Sequence, residues 1–189
     1  MQAAVAHLLP LVPSQRREKA LCYKHLHGQY CCLRAWQLLH ELLTEHAFLP
    51  AAFPLSRLTY TEDEYGKPSI SEAVFFSISH TKNAIAVAIS HAPVGIDVEA
   101  VVSYSRINDS HFLARTMNAA EQQLITGSSD PRLAFTGLWT RKEALVKAIG
   151  TGLNLDTLPS LLSSPAASGY QFISGHTDSY AYAIVSQQA

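Results

Sequence analysis

Residues 139–153 read "WTRKEALVKAIGTGL". The spacing predicts a helix that stops in a glycine loop. Leu138, Leu145, Val146 and Ile149 recur at helical intervals and form an apolar face. Trp139, Glu143 and Lys147 fall four apart, on one stripe beside that face. On a solvated helix such a Glu–Lys pair contributes only about 0.2–0.5 kcal/mol. That bland reading accounts for the two charges and leaves Trp139 unexplained.

Upstream, residues 95–99 read "GIDVE". Side chains alternate along a strand, so Asp97 and Glu99 share one face and Ile96 and Val98 the other. Two neighbouring carboxylates repel unless a cation lies between them. Taken alone, a solvent-facing strand edge accounts for them equally well. Packed under the helix, the strand brings Glu143 to Asp97 and Glu99. Three carboxylates form an oxygen-rich site suited to Mg²⁺ and a substrate phosphate. Lys147, one turn beyond Glu143, reaches the same phosphate or a reacting oxygen.

Cations for a phosphate ligand occur elsewhere in clusters. "SQRREK" supplies Arg16, Arg17 and Lys19, "YGKP" supplies Lys67, and "SISHT" places Ser79 and His80 at a strand end. Each is weak alone: basic residues at a helix start are usually solvated, and a lone His usually packs or caps.

The remaining chain gives an α+β order. Residues 14–46 read as helix, with Ser14 as N-cap, Gly28 dividing a short helix from a longer one, and Leu33, Trp36, Leu39, Leu42 and Leu43 at helical spacing. Gly66-Lys67-Pro68 marks a turn between possible short strands. "VFFSISH", "AIAVAIS" and "VGIDVEA" alternate as strands, which close spacing predicts to be an antiparallel meander. Helix follows around Phe112, Leu113, Leu124 and Ile125, then the helix at 133–149, then strands at "YQFIS" and "YAYAIVS". The chain divides into halves at 1–92 and 93–189, each a helical region followed by strands.

The 189 residues suffice for one large domain or two small packed ones, and 48% apolar against 15% charged residues is a core-forming composition. A net charge of −1 provides no bulk field for nucleic acid or an anionic membrane, so any anion site is local. Cys22, Cys31 and Cys32 form no disulfide framework, which points to a reducing cytoplasm. The apolar start lacks a basic region and a cleavage site, so no signal peptide is expected. No apolar run approaches the roughly 18 residues of a membrane helix.

The order "EYGKP", "FFSISHT", "GIDVE", "WTRKEALVKAIGTGL", spanning residues 64–153, resembles the Sfp-type 4′-phosphopantetheinyl transferases. "QRREKALCYK" is similar to that family's N-terminal basic segment. The resemblance implies transfer of the phosphopantetheine arm of coenzyme A to a serine of an apo acyl or peptidyl carrier protein, releasing adenosine 3′,5′-bisphosphate. It implies two similar α+β halves related by a pseudo-twofold, with mainly antiparallel sheets, a long helix on each, and the site in the cleft between them. It implies Mg²⁺ on Asp97, Glu99 and Glu143, with Glu143 and Lys147 catalytic. Arg16, Lys19, Lys67, Pro68, Ser79 and His80 would bind the nucleotide and its 3′-phosphate. Glu121 is a looser match to a family glutamate. Cys31-Cys32 departs from the short polar residue many relatives carry there.

A monomer is expected, with coenzyme A and the carrier as partners. Tyr104, Arg106, Phe112, Leu113 and Arg115 are expected to meet the carrier, although Phe112 and Leu113 serve equally well as anchors of the next helix. Two rival readings are a Mg²⁺-dependent phosphohydrolase acting on a pyrophosphate and a non-enzymatic α+β binding module with a solvated acidic face.

Overall fold

A computed structural model of the chain describes residues 1–70 and 74–188. It opens with α1 (Gln2–Leu8), α2 (Ser14–Leu21) and the long α3 (Leu26–Glu45). The helical spacing in α3 is a burial pattern: Leu33, Trp36, Leu39 and Leu43 are at most 1% exposed. The break between α2 and α3 falls before Gly28, not at it. Gly28 lies in the first turn of α3, where an added Cβ would meet the Tyr23 ring at 2.7 Å. Ser14 is the first helical residue of α2 and Pro13 its cap, one position earlier than expected.

A ribbon follows, β1 (Tyr60–Glu62) against β2 (Pro68–Ile70), turning through Gly66 at φ 78°. β3 (Phe75–His80) and β4 (Ile85–Ser90) form an antiparallel pair. Phe76, Ile78, Val87 and Ile89 from this pair pack on the α3 core around Trp36. β5 (Val94–Ala100) leads into three short helices, α4 (Tyr104–Ile107), α5 (Ser110–Thr116) and α6 (Ala119–Thr126). α7 (Pro131–Ile149) begins ahead of the expected 133, because the Asp130 carboxylate accepts from the Arg132 and Leu133 amides. Gly150, left-handed at φ 82°, ends it. β6 (Tyr170–His176) and β7 (Tyr180–Gln187) complete an antiparallel sheet of order β5-β7-β6.

The expected meander does not form. β5 pairs with β7, far along the chain, and lies in a different sheet from β3 and β4. It runs beside β3 in the same direction, joined by side chains. The hydroxyls of Ser77, Ser79 and Thr81 accept from the amides of Ile96, Val98 and Ala100 at 3.1, 3.3 and 3.2 Å. Hydroxyls projecting from β3 thus stand where ladder carbonyls would, and satisfy the β5 edge without backbone pairing.

The result is an α+β architecture of antiparallel sheets in which α3 covers one sheet and α7 another. α7 buries Ala144, Leu145 and Ala148 against Ala183 and Val185 of β7. Its approach to β5 is closer still. A Cβ on Gly95 would lie 1.9 Å from the Ala144 carbonyl oxygen and 2.6 Å from the Ala148 amide nitrogen. Glycine is required there because backbone meets backbone. Among the described residues no helix is long and apolar enough to cross a membrane.

Candidate active site

Contact at Gly95 sets the register between β5 and α7, and so what faces what. Asp97 is 3% exposed. Its Oδ1 accepts from the Ser79 hydroxyl at 2.8 Å and from Lys147 Nζ at 2.7 Å. Its Oδ2 is buried with no hydrogen-bond partner. Glu99 lies two residues on along β5 and Glu143 one turn before Lys147 on α7. Burial, then the charges of Asp97 and Glu143, push the Glu99 carboxyl up to about 6, against the pull of Lys147 and the Trp139 indole. Burial and then Asp97 also raise the Glu143 carboxyl, while Lys147 opposes them.

The carboxylates therefore feel one another, as their spacing suggested, yet they are not drawn into a ligand cage. Among the described residues, no three His, Cys, Asp or Glu side chains converge closely enough to hold a metal ion. Lys147 supplies the nearest positive charge instead. The donor set nonetheless suits a small hard cation. An orphaned carboxylate oxygen, and two carboxyls raised first by burial and then by neighbouring carboxylates, both mark a place where positive charge lowers the energy.

Lys67 and Pro68, on the turn and first residue of the β2 ribbon, come to the same cleft. Lys67 Nζ donates to the Lys147 carbonyl oxygen near the end of α7. Burial lowers its pKa, and Asp63 acts in the opposite sense. A cavity of about 280 Å³ is lined by Lys67, Pro68, Ser77, Glu143, Lys147 and Gly152, among others. A second cavity of about 180 Å³ adjoins it through Gly66, Pro68 and Ile78, and is lined by Arg16, Lys19, Tyr23, Trp36 and His80. His80, lowered by burial, then by His27 and Lys147, favours the neutral imidazole. The cleft thus runs from carboxylates and lysine at one end to arginine and lysine at the other. A larger cavity, about 550 Å³, lies between the first half of α7 and the β6–β7 turn, and is lined by none of the candidate catalytic, metal or nucleotide residues. Chemistry favours the smaller pair, where acids, cations and a neutral imidazole converge.

Two expectations divide differently. Glu121 is 6% exposed, and its carboxylate accepts from the Asn118 amide at 2.9 Å and from Lys142 Nζ at 2.7 Å, so it faces away from the cleft as part of a helix cap. Lys142 is 0% exposed. Sequence reasoning passed over it, although it falls four residues after Leu138 and three before Leu145, on the apolar face itself. A lysine there signals a buried acid. In the segment expected to meet a carrier, Leu113 is buried, and Phe112 packs at a tilt against Phe135 and Trp139, so both anchor the following helices. This also explains Trp139, which stacks on Phe135 at 15° with centroids 6.1 Å apart. Tyr104, Arg106 and Arg115 stay exposed.

The sequence model of the "4'-phosphopantetheinyl transferase superfamily" matches residues 93–187. The 4'-phosphopantetheinyl transferase gsp of Aneurinibacillus migulanus is 30% identical over 123 residues, 61% of this chain and 48% of that protein. The transferase ffp of Bacillus subtilis is 26% identical over 156 residues, 82% of this chain and 67% of its own length. The fatty acid synthase subunit alpha of Candida parapsilosis is 34% identical over 104 residues, 51% of this chain and 5% of that subunit. The chain spans 48% to 67% of the length of the first bacterial relatives it matches. The matched region begins just before β5 and runs through α7 to the end of β7, the elements that build the carboxylate end of the cleft, and the chain belongs to the 4'-phosphopantetheinyl transferase superfamily.

Proposed function

We propose that the chain transfers the 4′-phosphopantetheine arm of coenzyme A to a serine of an apo acyl or peptidyl carrier protein and releases adenosine 3′,5′-bisphosphate. The observation that carries this reading is the grouping of Asp97, Glu99, Glu143 and Lys147 beside one cavity, which shares Gly66, Pro68 and Ile78 with a second cavity lined by Arg16, Lys19 and His80. One end suits a pyrophosphate, the other a nucleotide phosphate.

Asp97, Glu99 and Glu143 would hold Mg²⁺, which when bound offsets the charge of the pyrophosphate. Ser79 fixes Asp97 through its hydroxyl, so the carboxylate keeps one orientation. Lys147, already on Asp97 Oδ1, is placed to donate to a phosphoryl oxygen as charge builds there. Glu143 takes the proton of the carrier serine as its oxygen bonds to the β-phosphorus and the bond to the departing bisphosphate breaks. The raised carboxyl pKa of Glu143 suits that role, because a stronger base accepts the proton more readily. Lys67, Pro68 and His80 line the nucleotide side, with Arg16 and Lys19 on the 3′-phosphate. The exposed set of Tyr104, Arg106 and Arg115 suits an acidic carrier.

In this reading the halves 1–92 and 93–189 are related by a pseudo-twofold. Each contributes one long helix on an antiparallel sheet, α3 in one and α7 in the other. A single chain then holds both walls of the site and works as a cytoplasmic monomer.

The test is incubation with coenzyme A, Mg²⁺ and a panel of apo carriers, read by intact-protein mass spectrometry. A carrier that gains one phosphopantetheine supports transfer. Cleavage of coenzyme A without carrier identifies a phosphohydrolase, and no reaction of either kind leaves a binding module.

A further inference from the structure

The basic end of the cleft contains an acid of its own. Glu62, the last residue of β1, presents one oxygen to both cations of α2. Its Oε1 lies 2.6 Å from Lys19 Nζ and 3.3 Å from Arg16 Nη2. The Glu62 side chain is 31% exposed and that of Lys19 40%, whereas that of Arg16 is 8% exposed.

Arg16 does not depend on this acid for its position. Its guanidinium lies 4.4 Å from the Trp36 ring centroid and 5.0 Å from that of Tyr60. Its other contacts are poor. Nη1 has only the Cys32 thiol at 3.8 Å, and Nε is buried without a partner. A buried guanidinium with unfilled donors, beside a cavity it shares with Lys19 and His80, suits an anionic oxygen ligand. Glu62 does not line that cavity; it holds the two cations from outside. It therefore cancels one of their two positive charges while leaving the space open.

We propose that Glu62 is a specificity-determining residue that weakens this site's selection for a nucleotide 3′-phosphate. The claim rests on the coenzyme A reading above. Beside the Glu62 carboxylate, the pair Arg16 and Lys19 offers a net single positive charge to the phosphate, so the preference for coenzyme A over its 3′-dephospho form is reduced. Without that carboxylate the field at the cavity rises, and only the phosphorylated form gains. Freeing one charge-assisted contact corresponds to about a tenfold change.

The experiment measures dissociation constants of coenzyme A and 3′-dephospho-coenzyme A by calorimetry, for wild type, Glu62→Gln and Glu62→Ala. Neither metal nor carrier is added, so the readout is independent of turnover. The expected result is coenzyme A binding about tenfold tighter in both variants, with the dephospho form within twofold of wild type. A selectivity ratio that is unchanged or lower in the variants overturns the proposal, since Glu62 then aims the cations rather than damping them. Variants too unstable to titrate overturn it as well, by making Glu62 a structural strut. Wild type that binds neither compound overturns the coenzyme A reading itself and removes the basis of the proposal.

Discussion

Gly95→Ala tests the link between packing and chemistry most directly. The new methyl carbon would lie 1.9 Å from the Ala144 carbonyl oxygen, about 1.5 Å short of ordinary contact at 3.4 Å. Both atoms belong to backbone, so no side chain can rotate away. Either β5 bends or α7 retreats by about an ångström. Retreat carries Glu143 and Lys147 with it, and the 2.7 Å contact of Lys147 with Asp97 lengthens beyond hydrogen-bonding range. Overpacking of this kind costs about 1–3 kcal/mol. Misplacing reacting groups by 1 Å costs about 100-fold in rate. Urea unfolding gives the first quantity, and single-turnover transfer at saturating coenzyme A the second. A variant that unfolds within 0.5 kcal/mol of wild type and transfers at an unchanged rate would show that Gly95 does not position the site.

Other expectations concern charge. Lys142→Met strands the buried Glu121 carboxylate and should lose about 3–5 kcal/mol by urea unfolding; the double variant with Glu121→Gln should lose less than the two single losses together, and strict additivity would contradict a coupled pair. Glu143→Gln should abolish transfer while its melting temperature in EDTA stays level or rises, because the cost of burying the anion and then its repulsion with Asp97 are removed; a clear drop in melting temperature would refute this. Asp97→Ala, by contrast, should melt earlier, since it removes the acceptor of Ser79 and Lys147. For Glu99 the folded carboxyl is raised from 4.5 to about 6, so the folded state binds the proton more tightly and the penalty for holding the anion is full above pH 6 and gone below about 4.5. Glu99→Gln should therefore gain stability over wild type in EDTA at pH 7.5 and lose that advantage at pH 4.5; a gap independent of pH would rule the shift out.

The strands from β3 to β7 and the helix α7 were legible because alternation and helical spacing are local. What β5 pairs with was not. Three strands close in sequence favour a meander, but the partner of β5 is β7, and only Ser77 and Ser79 of β3, with Thr81 just beyond it, hinted that its edge was already occupied. The break before α3 was misplaced because Gly28 reads as a helix breaker, whereas its role is to admit the Tyr23 ring. The proximity of Asp97, Glu99, Glu143 and Lys147 could be read from spacing, since strand and helix periodicity place them on facing sides. Glu62 could not: it falls in a stretch that reads only as possible short strands beside a turn, and nothing local shows that Arg16 and Lys19 lie across from it. Gly95 carried a usable signal, an isolated glycine in a strand, which marks close backbone approach.

The row of hydroxyls between β3 and β5 has a mechanical consequence. A backbone ladder resists opening as a unit, because each peptide is tied to its neighbours. Here Ile96, Val98 and Ala100 are each fastened to β3 by one rotatable side chain. Parting the two strands costs about 1 kcal/mol of hydrogen bonding per residue, one fastening at a time, and neither sheet is torn. Water can take over each freed amide as the strands separate. The join therefore behaves as a row of buttons, each of which can open without the next. Amide hydrogen exchange at these three positions should be faster than at the β5 amides paired with β7, and it should quicken further in Ser77→Ala.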